Sequence, residues 1–376
     1  MKSPEAFIEQ KLQERRLAGT YRTLKPETSL VDFCSNDYLG FSRSVELKHK
    51  IEQEINSNEL FANGSTGSRL LSGNSVYTED LEQYIAGVHK SEAGLIFNSG
   101  YDANLGLFST LAQRGDTIIT DELIHASIID GTRLSYANRY IFRHNDLQSL
   151  ENKLKQAKGI CYVAIESVYS MDGDTPPIKA ILELTELYNA HLIIDEAHAV
   201  GLYGLGLVYK LGLSERIFAR VITFGKALGC HGAIVSGSNL LREYLINFAR
   251  PFIYTTAASF HQIAAIKMAY ILLKKSESDV ELLKMNIALF KQTLNQNQTY
   301  LLIKSDSAIQ CLVLKSNEKA KAVAGYLQSA GLDVRAILSP TVPQGSERIR
   351  ICLHSFNTKE EVILLTGTLN KLIDGA

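Results

Sequence analysis

Residues 220–237 read RVITFGKALGCHGAIVSG, two short apolar runs joined by a glycine-rich loop that carries one lysine, Lys226. Similar runs recur upstream, with AGLIF from residue 93, DTIIT from 116, ICYVAI from 160 and HLIID from 191. Longer mixed segments separate several of them, and residues 178–190 have helical character. Near-continuous apolar strands alternating with helices are typical of a mostly parallel sheet covered by helices. The pattern therefore predicts an α/β layer from about residue 94 to 240.

The segments on either side of this layer read differently. After about residue 240 the chain has two long helical segments, followed by a smaller α+β portion with strands near AIQCLVLK (308–315) and RIRICL (348–353). Ser3 and Pro4 are typical of a helix start, and Gly19 of a helix end. We predict an N-terminal arm (1–42), a large α/β domain (43–275) and a small C-terminal domain (276–376).

Composition excludes several classes of protein. The 39 basic and 40 acidic residues leave a formal net charge of −1, which argues against a general nucleic-acid binder. Five scattered cysteines without a C-x-x-C pair predict neither a disulfide framework nor a metal site, and they fit a reducing cytoplasm. The N-terminus lacks the apolar core of a secretory signal, and no run of eighteen apolar residues predicts a membrane span.

Polar residues follow the apolar runs at the point where each predicted strand ends. They are Ser99 and Gly100, Glu166 and Ser167, Asp195 and His198, and Thr223 and Lys226. Binding sites of open parallel sheets collect at the carboxyl ends of the strands. The set therefore predicts one site at this edge of the sheet.

The string DEAH (Asp195–His198) also occurs in ATP-driven helicases, where the acid holds Mg²⁺. That function needs a phosphate-binding loop of the form G-x-x-x-x-G-K-[ST], and the sequence has none. Taken alone, Asp195 could equally be a strand-end cap and Lys226 a solvated surface lysine. Together they meet the electronic requirement of pyridoxal 5′-phosphate (PLP), a lysine that forms an imine and an acid that keeps the pyridine nitrogen protonated.

Three further features fit such a cofactor, each with an ordinary alternative. The segment NSGYDAN (98–104) leads from a strand into a predicted helix whose N-terminus could bind a phosphate, or it is a plain turn. His125 could stack on a ring or serve only the structure. Arg348 and Arg350 share one face of a strand and could form a carboxylate clamp or a solvated surface.

Four motifs resemble those of the α-oxoamine synthase family, within the fold-type I PLP enzymes. They are SNDYLG (35–40), ESVYSMDGD (166–174), DEAH (195–198) and T-x-x-K-x-x-G (223–229). Their order and spacing match over nearly the whole chain. The resemblance implies a large domain with a mostly parallel seven-stranded sheet flanked by helices, a smaller C-terminal α+β domain, and a homodimer with a shared active site.

The resemblance also implies roles for individual residues. Lys226 would form the imine, Asp195 would pair with the pyridine nitrogen, and His198 would bind the phenolic oxygen. Further contacts to PLP would come from Gly100, Tyr101, His125, Ser167 and Thr223, and from Thr255 and Thr256 of the neighbouring subunit. Substrate would be bound by Arg22, Asn36, His125, Thr341 and Arg350.

The activity implied is a decarboxylative condensation of an amino acid with an acyl thioester. Softer motifs, among them HASI (125–128) and SPTVPQGSERIR (339–350), favour the branch that joins L-alanine to a pimeloyl thioester, on CoA or an acyl carrier protein, in biotin biosynthesis. Glycine with acetyl-CoA and serine with a long acyl-CoA remain alternatives. A non-catalytic partner subunit is a further alternative, against which the intact lysine speaks.

Overall fold

The computed structural model describes residues 3–26, 29–58, 62–295 and 301–374. The helices in these ranges are α1 (Pro4–Leu17), α2 (Val45–Asn56), α3 (Val76–Val88), α4 (Gly100–Leu111), α5 (Ala126–Leu134), α6 (Leu147–Leu154), α7 (Ile178–Leu187), α8 (Leu207–Lys210), α9 (Asn239–Phe248), α10 (Arg250–Ile253), α11 (Phe260–Leu273), α12 (Glu277–Thr293), α13 (Asn317–Ser329) and α14 (Lys359–Asp374). Within the same ranges, no helix combines the length and the apolar character needed to cross a bilayer.

The centre of the molecule is a seven-stranded sheet, which confirms the predicted fold. Its strands are β1 (Ala93–Phe97), β2 (Thr117–Asp121), β3 (Asn138–Phe142), β4 (Cys161–Glu166), β5 (His191–Asp195), β6 (Ala219–Thr223) and β7 (Ala233–Gly237). Their spatial order is β1-β7-β6-β5-β4-β2-β3. Strand β7 runs antiparallel to β1 and β6, and the other four pairings are parallel.

Burial explains why six of these strands stand out in the sequence and one does not. Every residue of β1, β2 and β4 is buried, because helices cover both faces of the sheet. Strand β3 lies at the sheet edge, and in it only Phe142 is fully buried. Its sequence, NRYIF, therefore shows no continuous apolar run.

Two helices begin at the carboxyl edge of the sheet because polar side chains cap them. The Ser99 hydroxyl accepts a hydrogen bond from the Asp102 amide, so α4 begins at Gly100. The His125 ring accepts a hydrogen bond from the Ser127 amide at the start of α5. Both caps fix predicted site residues at the ends of strands β1 and β2.

A second, antiparallel sheet follows in the C-terminal part of the chain. It contains β8 (Leu301–Leu302), β9 (Ile309–Val313), β10 (Arg335–Ile337) and β11 (Arg348–Cys352), in the order β8-β9-β11-β10. The arm adds a short strand, Val31–Asp32, which pairs with Leu332–Asp333. The predicted division into three parts stays a prediction, and its boundary at 275/276 falls between α11 and α12.

Candidate active site

The predicted site residues converge at the carboxyl ends of β4, β5 and β6. Glu166 and Asp195 are register partners on β4 and β5, and Lys226 follows β6 in the glycine-rich loop. The Lys226 Nζ lies 2.7 Å from His198 Nε2. The strand-end pattern thus brings the lysine, the aspartate and the histidine into one cluster, as the sequence predicts.

The amine of Lys226 is tuned by this environment. Burial lowers the pKa of Lys226 to about 8, although the charges of Asp195 and Glu166 act in the opposite direction. The Arg350 guanidinium lowers it further. A lysine with a pKa near neutrality supplies an appreciable fraction of neutral amine, the form that acts as nucleophile and base.

Asp195 is held by two donors at the end of β5. Its Oδ2 accepts a hydrogen bond from Asn104 Nδ2 at 2.8 Å, and its Oδ1 accepts one from the Ala197 amide at 2.8 Å. Ser167 donates its amide and its hydroxyl to the Asp195 carbonyl oxygen, at 2.9 and 3.3 Å. Asn104 lies on the inward face of α4, and sequence reasoning did not single it out.

A chain of hydrogen bonds connects His125 to Asp195. Its Nδ1 lies 2.7 Å from the Ser127 hydroxyl, which accepts a hydrogen bond from the second Nδ2 proton of Asn104 at 3.0 Å. Burial lowers the pKa of His125, and the charge of Lys226 lowers it further, against the opposing charge of Asp195. A neutral imidazole at this point suits stacking on a ring and proton transfer.

Glu166 is a site residue whose role the sequence leaves open. Burial raises its pKa to about 8, and the neighbouring Asp195 charge raises it as well. Its Oε2 accepts a hydrogen bond from the Ser170 amide at 3.1 Å, while its Oε1 is buried without a partner among the described residues. The sequence signal that could have pointed to Glu166 was its place at the end of β4, the strand that pairs with the strand of Asp195.

A line of hydrogen bonds leads from the lysine to an arginine of the C-terminal sheet. His198 Nδ1 lies 2.7 Å from the Tyr38 hydroxyl, which lies 3.1 Å from Asn36 Oδ1. The Arg350 Nη2 donates to the same Asn36 oxygen at 3.0 Å. The predicted carboxylate-binding pair, Asn36 and Arg350, is therefore assembled in one place, and Tyr38 is a connecting residue that the sequence did not point to.

Arg348, the other arginine of strand β11, has different neighbours. Arg348 pairs with Asp172 and donates to the Met171 carbonyl oxygen at 3.2 Å, so it anchors the loop after β4. Arg350 Nε donates to the Ser170 carbonyl oxygen at 2.8 Å. Of the clamp suggested by the period of the strand, only Arg350 contacts the group around Lys226.

The residues expected to hold a phosphate lie at the start of α4 and at the end of β6. A Cβ added to Gly100 would lie 3.6 Å from Thr223 Oγ1, so glycine leaves room between α4 and β6 at that point. The N-terminus of α4 adds free amide groups that favour an anion. Tyr101 is exposed and its hydroxyl donates to Asp130 at 2.5 Å, so only its backbone faces this space. The donor set thus fits PLP.

The remaining predicted contacts form two separate groups. Asn98 Nδ2, two residues before Gly100, donates to Thr255 Oγ1 at 3.0 Å and to the Thr256 carbonyl oxygen at 2.9 Å in the same chain. Arg22 donates to Thr341 Oγ1 at 3.3 Å, beside a cavity of about 220 Å³. Neither group has a hydrogen bond to the cluster around Lys226 within the described residues, and their roles stay predictions.

Comparison with known proteins identifies the family of the chain. Residues 28–364 match the family model "Aminotransferase class I and II". The chain belongs to that family. It is 42% identical to the 8-amino-7-oxononanoate synthase of Emericella nidulans, over 95% of this chain and 92% of that protein. It is 37% identical to a putative 8-amino-7-oxononanoate synthase of Bacillus licheniformis, over 92% of each chain. These relatives confirm membership of the α-oxoamine synthase family.

Solved structures extend the likeness to the whole fold. A serine palmitoyltransferase from Sphingomonas wittichii shares a TM-score of 0.89 at 26% identity, over 98% of each chain. A structure titled SPT with PLP internal aldimine has the same TM-score at 25% identity, over 100% of each chain. The 8-amino-7-oxononanoate synthase of Francisella tularensis gives 0.76 at 28% identity, over 93% of this chain and 99% of that one. The fold is therefore that of a fold-type I PLP transferase.

Proposed function

We propose that this chain is a PLP-dependent acyltransferase that condenses L-alanine with a pimeloyl thioester, with loss of CO₂, to give 8-amino-7-oxononanoate in biotin biosynthesis. The observation that carries the proposal is the contact of Lys226 with His198 at the strand end next to Asp195. The names of the curated relatives support the choice of substrates.

PLP is the cofactor, and it supplies an electron sink for the carbanion of the amino acid. The residues that would hold it are Lys226 at the aldehyde carbon, Asp195 at the pyridine nitrogen, His198 at the phenolic oxygen, His125 over the ring, Ser167 beside it, and Thr223 with the backbone of Gly100 and Tyr101 at the phosphate. The carboxylate of Asp195 is oriented for its task because Asn104 and the Ala197 amide occupy its other lone pairs.

Lys226 acts as the base of the reaction. With a pKa of about 8, its amine accepts the α-proton of the amino acid when free and returns a proton at the end of the cycle. His125, neutral because burial lowers its pKa, can donate a hydrogen bond to the ketone oxygen formed in the condensation.

Asn36 and Arg350 bind the carboxylate of the amino acid. Arg350 is buried, and Ser170 and Cys352 accept hydrogen bonds from two of its nitrogens, so its guanidinium is fixed before substrate arrives. A fixed guanidinium loses less entropy on binding a carboxylate than a mobile one. The carboxylate that it holds is the group lost as CO₂. Arg22 and Thr341, paired beside their cavity, are proposed to contact the acyl substrate.

A second candidate function is the condensation of L-serine with a long acyl thioester. The observation that favours it is the TM-score of 0.89 with serine palmitoyltransferase, above the 0.76 with the Francisella tularensis synthase. Both identities are below 30%, whereas the curated synthase reaches 42%, which is why we place alanine and pimeloyl thioester first.

The proposal includes a homodimer in which Thr255 and Thr256 reach the phosphate of the neighbouring subunit. Several large apolar residues lie exposed near the loop that carries them, among them Phe248 and Tyr254. A partner chain that covers such residues would stabilise the assembly. We place the enzyme in the cytoplasm, where its five free cysteines would stay reduced.

The test is cofactor attachment and turnover. Purified protein incubated with PLP should gain a visible absorbance band, and borohydride should fix the label on Lys226. Lys226→Ala should lose the band, the label and turnover, whereas Lys179→Ala, an exposed lysine on α7, should retain all three. A thiol-release assay with alanine, glycine and serine against pimeloyl, acetyl and palmitoyl thioesters then identifies the substrates. Highest turnover with serine and palmitoyl-CoA would overturn the assignment to biotin biosynthesis.

A further inference from the structure

We infer that Tyr38 is a positioning residue that fixes the tautomer of His198, so that His198 Nε2 faces the active site as a hydrogen-bond acceptor. The inference rests on the proposed function for the role of His198, but the hydrogen-bond directions follow from the structure alone. It concerns a residue that contacts His198, the neighbour of Lys226, and that lies beside the carboxylate-binding Arg350.

The direction of each bond follows from the one group that cannot accept. An arginine guanidinium only donates, so the Asn36 atom that lies 3.0 Å from Arg350 Nη2 must be the amide oxygen. The Tyr38 hydroxyl lies 3.1 Å from the same oxygen and must therefore donate its proton to it. That hydroxyl has one proton, which is now in use.

The rest of the line is then determined. His198 Nδ1 lies 2.7 Å from the Tyr38 oxygen, which can only accept, so the imidazole carries its proton on Nδ1. Burial lowers the pKa of His198 well below its usual value, with the charges of Lys226, Arg350 and His125 acting in the same direction, so the ring is neutral. Nε2 is left with a lone pair, and the Lys226 amine donates to it at 2.7 Å.

Burial makes the Tyr38 hydroxyl, and not a water molecule, the acceptor for the Nδ1 proton of His198. Both rings are buried, with Tyr38 fully inaccessible and His198 at 4% exposure, so water does not replace the hydroxyl. The charged and titratable groups that face the cluster are Asp195, Glu166, Arg350, Cys352 and His125. In the loaded enzyme His198 would be the residue at the phenolic oxygen of the cofactor.

The test uses the cofactor-free protein and two substitutions. Tyr38→Phe removes the acceptor for the Nδ1 proton, and Asn36→Ala removes the acceptor for the Tyr38 proton, which frees the hydroxyl to donate to Nδ1. Both should move the His198 proton to Nε2. Nitrogen-15 spectra of histidine-labelled protein, with His198→Asn used for assignment, report the tautomer directly.

A second readout is the basicity of Lys226. When His198 carries its proton on Nε2 it can no longer accept from the charged amine, so the pH midpoint for labelling of Lys226 by an amine-reactive reagent should fall by about one unit, roughly tenfold in the equilibrium. The labelled peptide is quantified by mass spectrometry. Tyr270→Phe is the matched control, because Tyr270 makes a buried hydrogen bond of 3.0 Å to another histidine, His89.

The inference would be overturned if either folded variant kept the wild-type tautomer of His198. It would also be overturned if Tyr270→Phe shifted the pH midpoint for labelling of Lys226 by an equal amount. If Tyr38→Phe does not fold, Asn36→Ala carries the test alone. Because neither readout needs PLP or turnover, failure here is distinguishable from failure of the proposed function. A protein that takes up no PLP would contradict the proposed function and would leave the tautomer measurement unaffected.

Discussion

At the scale of single residues, burial decides which groups can do chemistry. The same desolvation that lowers the pKa of Lys226 raises that of Glu166, since each loses its charged form on leaving water. Burial therefore moves the pKa of the acid and the pKa of the base toward each other. The carboxylate of Asp195 accepts hydrogen bonds from Asn104 and from the Ala197 amide, which fix its orientation.

The pH dependence of cofactor attachment should report the Lys226 amine. Only the neutral amine attacks an aldehyde, and the pKa of Lys226 is lowered to about 8, so the rate of PLP uptake should rise as the pH increases through 8 and level off above it. Stopped-flow absorbance of the cofactor-free protein between pH 6 and 10 would measure it. A rate still rising steeply at pH 10 would mean that burial does not tune this amine.

The amino-acid carboxylate should depend on Arg350 and not on its neighbour Arg348. Arg350→Lys replaces a fixed fork by a single flexible charge, and should raise the KM for alanine by about tenfold to a hundredfold while kcat falls less. Arg348→Lys, on the same strand face but paired with Asp172, should leave the KM for alanine within about twofold and lower stability instead. Equal effects of the two variants on KM would contradict the assignment.

At the scale of elements, the sequence reveals the strands that are buried and conceals the one that is largely exposed. The apolar runs locate six strands, because both faces of each are covered. The apolar pattern does not locate strand β3, because an edge strand with exposed Asn138, Arg139 and Ile141 resembles a loop in sequence. The end of β3 nevertheless matters, since His144 lies two residues after it.

His144 joins the ends of three elements through charge. Its Nδ1 lies 2.9 Å from Asp121 at the end of β2, and its Nε2 lies 2.8 Å from Asp174 in the loop after β4. Burial lowers its pKa, but the two aspartates outweigh burial and raise it to about 10. The loop that follows Glu166 and carries Ser170 is thereby tied to the strand end that precedes His125.

Stability should depend on pH through this histidine. A folded pKa of about 10 above an unfolded value near 6.5 means that the contribution is fully present below pH 6.5 and is lost as the pH rises to 10. The loss amounts to at most about 5 kcal/mol. His144→Gln should remove most of this dependence in urea titrations between pH 6.5 and 10. His49→Gln, exposed on α2, should retain it, and an unchanged slope in His144→Gln would refute the clamp.

At the scale of the whole molecule, the site is assembled from segments that lie far apart in the chain. Asn36 and Tyr38 precede the first strand of the central sheet, and the Phe33 carbonyl oxygen that accepts from the Cys352 amide at 2.8 Å holds their segment against β11. One hydrophobic cluster includes residues from this segment, from α11 and from the C-terminal sheet. Local sequence patterns predict strands and caps, but they cannot predict that Tyr38 meets His198, because tertiary packing alone brings these residues together.

The proposed dimer leads to the most demanding prediction at this scale. Thr255 contacts Asn98 of its own chain, and yet the proposal assigns it to the active site of the neighbouring subunit. If Thr255 and Thr256 serve the neighbouring site, each active site takes Lys226 from one subunit and the threonines from the other. Mixing inactive Lys226→Ala with inactive Thr255→Ala/Thr256→Ala, after mild dissociation and reassociation, then creates mixed dimers with one intact site. Activity should recover to about one quarter of that of the wild type, because half of the dimers are mixed and each has one working site of two. Threonines that serve their own chain would instead leave each mixed dimer with two damaged sites, so the mixture would stay as inactive as its components. Remixing either variant with itself controls for the dissociation step, and light scattering before and after confirms that dimers re-form.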